Sequence, residues 1–287
     1  MRFEDWHTHN SLCRHAKGSI EDYVRKAVEL NLGVIGASDH FPYGFLSSEI
    51  SSLDDIPYKR YAMTLDDVEG YIIEIERLKE KYKNKIQVKS AFEIDYFKNQ
   101  EHVLNRYLKN YINKLDYILG SVHVLFGKAG IFAFDDGRFL NKYKIYDNND
   151  EIYLEFYNTL QDMIKSKRFD FDIVSHFDLP KKFDKRAETY DLIMEKVVET
   201  LELAKKRGLT IEINSSGLRK KIREQYPSVE IIEKMYELDI PVLLGSDAHQ
   251  IDEIAYEFNY IIDLLKNIGY NQLAHYNKRE RTFIEID

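Results

Sequence analysis

The chain has 287 residues, 44% hydrophobic and 31% charged, with a formal net charge of −8 and a pI near 5.7. That acidic balance argues against a nucleic-acid backbone or an anionic membrane as the main partner, because both are polyanions. One cysteine, Cys13, rules out an internal disulfide and fits a reducing cytoplasm; the opening Met-Arg-Phe-Glu-Asp-Trp has no secretory h-region, and no apolar run nears a membrane span.

Short β-branched runs alternate with longer amphipathic stretches along the sequence. Strands are expected over 3–9, 33–39, 86–94, 117–124, 172–176, 210–214 and 241–245. Helices are expected over 20–30, 65–83, 102–113, 151–167, 189–207, 229–238 and 253–267. Ser19 and Thr64 stand where helix N-termini want a capping oxygen, and Gly208 stands where a helix end favours glycine. A last short strand is expected over 281–286. Seven β-then-α units predict one α/β domain over 1–287, with a parallel sheet and right-handed crossovers.

Ligand-type side chains recur at the C-terminal ends of these strands. The first ends in His7 and His9, with His15 just beyond; the second in Asp39 and His40; the third in Glu93. The fourth ends in His123, the fifth in His176 and the seventh in Asp247 and His249. In a closed β/α barrel these ends share one rim, whereas an open sheet gathers only the strands beside its switch point. The pattern therefore favours a barrel.

An HxH pair alone is weak, since roughly 0.3 such pairs arise by chance at this histidine content, the false-positive risk of any short motif. Residues i and i+2 of a strand do share a face, so both imidazoles can reach one ion. Seven of the nine histidines falling at strand ends is much stronger. His102 and His275 fall elsewhere and are given no role. Asp39 and Asp247 could also serve as helix caps, Glu93 as an exposed strand residue, and Cys13 as a buried thiol.

Taken in order, "HTHNSLCRHA", "SDH", "AFEID", "GSVH", "SHFD", "EINSSGLRK" and "GSDAH" resemble the PHP (polymerase and histidinol phosphatase) superfamily of metal-dependent phosphoesterases. "CRHA" and "SSGLRK" look like its histidinol-phosphatase branch. The resemblance covers residues 5 to 250. It implies a distorted (β/α)7 barrel, TIM-like, with three divalent ions of zinc, iron or manganese. His7, His9, Glu93 and Asp247 would hold one, His15, His40 and His249 a second, and Glu93, His123 and His176 the third.

The implied activity is hydrolysis of L-histidinol phosphate to L-histidinol and phosphate, in histidine biosynthesis. Three divalent ions less two carboxylates leave a positive surplus that invites a phosphate dianion. Arg219 would grip phosphate oxygens. An arginine expected shortly after "SHFD" is absent, so Lys181 or Lys182 would replace it as a point charge. Asp247 or His249 would protonate the leaving oxygen, and Asp39 and Asp178 would orient imidazoles. Asp135 and Asp136, in "IFAFDDG", are candidates for recognising the cationic end of the substrate. Competing readings are a phosphoesterase for another small ester or phosphotyrosine, an amidohydrolase-type enzyme, and a non-catalytic metal-binding module. The oligomeric state is left open.

Overall fold

In the computed structural model, which describes residues 2–46 and 58–286, short parallel strands follow one another around a ring. They begin with β1 (Glu4–Asp5), β2 (Val34–Ala37), β3 (Gln87–Asp95) and β4 (Tyr117–Ser121). A hairpin, β5 (Val124–Gly127) and β6 (Gly130–Ala133), interrupts the ring, which resumes with β7 (Ile173–Val174), β8 (Thr210–Asn214) and β9 (Val242–Gly245). The ends meet: the Trp6 amide donates to the Leu244 carbonyl at 3.0 Å, and Thr8 bridges Ala248 in parallel. The sheet is a distorted (β/α)7 barrel.

The strands lie between two apolar layers. Trp6, Val34, Ala91, Tyr117, Leu119, Ile173 and Leu243 fill the interior. The outer faces pack against helices, including Ile20–Glu29, Asp67–Tyr82, Asn149–Lys165 and Tyr190–Arg207. Ser19 and Asp22 form a reciprocal capping box at the first of these, satisfying amides that a helix start leaves bare. Gly208 ends the last of them with φ 75°, the left-handed region. Among the described residues no helix is long and apolar enough to cross a membrane.

Three local expectations need correction. The strand expected over 117–124 leaves the barrel after Ser121, because the His123 amide and ring both bind Asp95 Oδ1, at 3.2 and 2.7 Å. The helix expected from 253 starts at Phe258; Ala255 and Glu257 take positive φ, and the Ala255 amide is spent on Asp5 Oδ2 at 2.9 Å. The chain ends in a hairpin, β10 (Gln272–Asn277) and β11 (Glu280–Glu285), not a lone strand. Its two-residue turn puts Lys278 and Arg279 at φ 49° and 67°, a conformation usually announced by Asn-Gly, so the sequence carries no turn signal.

This hairpin plugs the N-terminal mouth of the barrel. Ala274 and Tyr276 join the interior layer, His275 binds Glu4 at 2.9 Å, and the Arg279 amide donates to the Asp116 carbonyl. Only the opposite mouth is left for chemistry. Gly36 shows how tight the interior is: a Cβ there would lie 1.9 Å from Tyr117 Oη and 2.9 Å from the Trp6 carbonyl oxygen. Gly36→Ala should therefore lower stability by about 3 kcal/mol. A denaturation midpoint equal to that of the unsubstituted protein would contradict this packing.

Candidate metal centre

Six strands deliver side chains to the open mouth. Alternation along the chain past β1 turns His7 and His9 to the same side, while the Thr8 hydroxyl points away and donates to the Gly36 carbonyl at 2.7 Å. His15 follows the short 3-10 turn Ser11–Cys13. His40 leaves β2 and bridges Glu93 of β3 in parallel. His123, His176, Asp247 and His249 follow β4, β7 and β9. His176 and Asp247 take φ 25° and 50°, rare for non-glycine residues and typical of side chains aimed at a site.

Glu93 is the hub. Its Oε2 lies 3.3 Å from His7 Nε2, 3.4 Å from His9 Nε2 and 3.1 Å from His40 Nδ1. Its Oε1 lies 2.9 Å from His176 Nε2 and 3.7 Å from His123 Nε2. Asp247 Oδ1 completes the first group, 3.2 Å from His9 Nε2 and 3.8 Å from His7 Nε2. His15, His40 and His249 gather ring nitrogens within 4.8 Å of one another.

These distances fit cations better than hydrogen bonds. Ligand atoms held tetrahedrally 2.0 to 2.2 Å from an ion lie about 3.3 to 3.6 Å apart. Nitrogens also face each other directly: His7 Nε2 and His9 Nε2 at 3.1 Å, His15 Nε2 and His249 Nε2 at 2.9 Å. At most one of each pair can carry a proton, and two bare lone pairs repel. A cation between them removes the conflict. The donor set, seven imidazoles and two carboxylates, suits zinc, iron or manganese rather than calcium or magnesium.

The other ring nitrogens show how the imidazoles are oriented. His7 Nδ1 donates to Glu212 Oε1 at 2.6 Å, His9 Nδ1 to Asp39 Oδ1 at 3.3 Å and His123 Nδ1 to Asp95 Oδ1 at 2.7 Å. His15 and His249 donate to the backbone carbonyls of Cys13 and Asp247. Each leaves Nε2 free for an ion. Glu212 and Asp95 escaped the sequence reading, although alternation carried the signal: Glu212 shares a face with Thr210 and Asn214, and Asp95 with Glu93. Asp178 does not touch an imidazole; it binds Lys181 Nζ at 2.8 Å and the Ser228 amide at 2.9 Å.

Glu212 is fully buried and also accepts from the His176 amide and Asn214 Nδ2, at 2.9 and 3.0 Å. Gly245 makes room for it, since a Cβ there would fall 1.9 Å from Oε1. Glu212→Gln should weaken metal binding and activity 10- to 100-fold, the usual cost of losing a group that orients a ligand. Unchanged metal affinity in an equilibrium titration would remove Glu212 from that role.

Charge divides the cluster. Burial opposes charging His9, but Asp247, Asp39 and Glu93 overcome it and lift its pKa to about 9. Burial is likewise outweighed at His123, raised to about 10 by Asp95, Glu93 and Asp135, and at His7, raised by Glu212, Glu93 and Asp247. His15, His40 and His249 are lowered by burial and by neighbouring imidazoles. Glu93 and Asp247 stay well below the usual carboxylate range, because the surrounding imidazoles outweigh their burial.

A cavity of about 470 Å³ opens over Glu93, His123, His176, Asp247 and His249. Its walls include Tyr43, Tyr61, Asp135, Asp136, Lys182 and Lys220. Two expected phosphate contacts lie off these walls. Lys181 is buried against Asp178, Glu224 and the Gln225 carbonyl. Arg219 donates through Nη2 to the Ser246 and Asp247 carbonyls and stacks over Tyr256, while its Nε and Nη1 find no hydrogen-bond partner. Asp136 lines the cavity but is held by Arg138 and Tyr61, and Asp135 pairs with Lys182 at 2.8 Å. Cys13 is buried and donates to the Asn10 carbonyl.

Comparison with known proteins agrees with this architecture. The chain is 29% identical to a Deinococcus radiodurans protein named "Probable histidinol-phosphatase", over 92% of this chain and 93% of that one. It is 26% identical to the Bacillus subtilis "Histidinol-phosphatase", over 92% and 99%. A Listeria monocytogenes structure assigned as a histidinol phosphatase superposes with a TM-score of 0.82 at 27% identity, covering 90% of this chain and 99% of that one. The histidinol phosphate phosphatase of Lactococcus lactis, solved with zinc, L-histidinol and phosphate, shares the fold with a TM-score of 0.78 at 17% identity, covering 98% and 99%. The PHP domain model matches residues 5–216, and with the barrel and the convergent imidazoles this places the chain in the PHP domain family.

Proposed function

We propose that the chain is a metal-dependent phosphomonoesterase that hydrolyses L-histidinol phosphate to L-histidinol and inorganic phosphate. The observation that carries this reading is Glu93, whose two oxygens face separate imidazole groups at the floor of a cavity sized for a small ester. His7, His9, Glu93 and Asp247 would hold one ion, His15, His40 and His249 a second, and Glu93, His123 and His176 a third. Bound divalent ions of this kind neutralise phosphoryl oxygens and lower the pKa of water towards about 7, supplying a nucleophile at neutral pH.

The chain's own groups do the rest. Lys182 and Lys220 bring positive charge to the wall where phosphoryl oxygens would lie. Asp247 turns Oδ2 towards Ser216, whose hydroxyl donates to it at 3.1 Å. That oxygen is placed to take up a proton from water and pass it to the leaving alkoxide. His249 is less suited, because Nδ1 is engaged by the Asp247 carbonyl and Nε2 faces His15. Asp95, Asp39 and Glu212 hold the imidazoles in place throughout.

A substrate screen tests the proposal. Metal-loaded protein should release phosphate from L-histidinol phosphate with kcat/KM about 100-fold above that for nucleotides or p-nitrophenyl phosphate, the scale of discrimination that paired polar contacts give. Equal rates on all three would leave a generic phosphatase and reject the assigned substrate.

A further inference from the structure

We propose that Asp135 and Lys182 form an exchangeable ion pair through which the cavity selects phosphomonoesters that also carry a positive charge. This rests on the phosphatase reading above and names the specificity device within it. The two groups meet at 2.8 Å and both line the cavity above Glu93 and His176. They come from different elements: Asp135 follows β6, and Lys182 belongs to the 3-10 turn Leu179–Phe183. Among the described residues each is the other's ion-pair partner, with side chains 15% and 25% exposed.

The other carboxylate on this wall and the neighbouring Lys181 are committed elsewhere. Asp136 accepts from Arg138 and Tyr61, and Lys181 is locked between Asp178 and Glu224, while Lys220 adds positive charge to the wall and Arg219 lies off it. Asp135 and Lys182 are therefore the charged pair on this wall that an incoming ligand can separate. A phosphate dianion that draws Lys182 towards itself strands the Asp135 carboxylate where little water reaches it, and an unpaired charge in such a place is costly. A substrate with an ammonium or imidazolium at its other end gives Asp135 a new partner. One internal pair is exchanged for two intermolecular ones. An ester with an uncharged tail completes only half of the exchange, so the stranded carboxylate is the repulsive element that rejects it.

The test compares kcat/KM on L-histidinol phosphate and p-nitrophenyl phosphate for the metal-loaded wild type, Asp135→Asn and Lys182→Gln. Asp135→Asn should lower the preference ratio about 100-fold, falling on the cationic ester and rising on the uncharged-tail ester, because Asn strands no charge. A merely structural role would lower both rates and keep the ratio. Lys182→Gln should harm p-nitrophenyl phosphate more than L-histidinol phosphate. Calorimetry supplies a second readout: L-histidinol and inorganic phosphate should each tighten the other's binding about 10-fold in the wild type, reciprocally, and independently in Asp135→Asn. A ratio in folded Asp135→Asn within twofold of the wild type, or independent product binding in the wild type, overturns the exchange. If Asp135→Asn does not fold, product coupling in the wild type decides. Failure of the phosphatase reading looks different: the wild type would not turn over L-histidinol phosphate at all, and product coupling would still judge the pair.

Discussion

Glu93→Gln is expected to reduce turnover of L-histidinol phosphate about 1,000-fold or more, on the order of 4 kcal/mol of transition-state stabilisation. The amide keeps the shape of the side chain, so the barrel should still fold. What changes is the charge and one oxygen. Glu93 faces five imidazoles with its two oxygens, three on one side and two on the other. An amide nitrogen can face only one of these groups as a ligand's replacement, and it offers hydrogens where a lone pair is needed. Two cation groups lose their shared anion at once. Elemental analysis should show lost metal alongside lost activity, with far-ultraviolet circular dichroism unchanged. Full metal content with full activity would show that Glu93 is not the hub.

Removing the ions from the native protein should have an effect of similar size. Treatment with a chelator is expected to bring phosphate release to background, and zinc or manganese should restore it. The metal-free protein then becomes pH-sensitive in a defined direction. His9, raised to about 9, and His123, raised to about 10, are protonated in the metal-free fold at pH 7.5, on the nitrogens an ion needs. Metal loading should therefore release protons and tighten as pH rises towards 10. Stability follows the same groups. Because their folded pKa values lie above the unfolded value near 6.5, their contribution is complete below about 6.5 and fades as pH rises through 9 to 10. The melting temperature of metal-free protein should fall over that interval and that of loaded protein should not. A flat metal-free profile would contradict the charge assignment.

Much of this site was legible because strands impose a period of two. His7 and His9 share a face for that reason, and the barrel brings the ends of distant strands to one rim. The same rule, applied to carboxylates, points to Glu212 two residues from Asn214 and Asp95 two residues from Glu93; among so many acids, single carboxylates in strands do not stand out. Asp39 was readable because it stands next to His40 at a strand end, and its carboxylate accepts from His9 Nδ1. Asp178 and Lys181 fall away from their expected contacts for a common reason. Each lies near a motif in sequence, but a side chain's direction there depends on loop geometry that no periodicity encodes. Their charges are used by one another, by Glu224 and by the Gln225 carbonyl. The final hairpin was half seen, because Lys278 and Arg279 adopt positive φ without the residues that usually advertise it.

Closure of β1 onto β9 has a consequence for biogenesis. His7 and His9 leave the ribosome about 240 residues ahead of Asp247 and His249. At translation speeds of 5 to 20 residues per second, the two halves of this ligand set are separated by roughly 10 to 50 seconds. During that interval the leading imidazoles have no carboxylate partner from the trailing segment, and the ring stays unsealed. Completion of this ligand set thus waits for synthesis of β9 and the residues just beyond it.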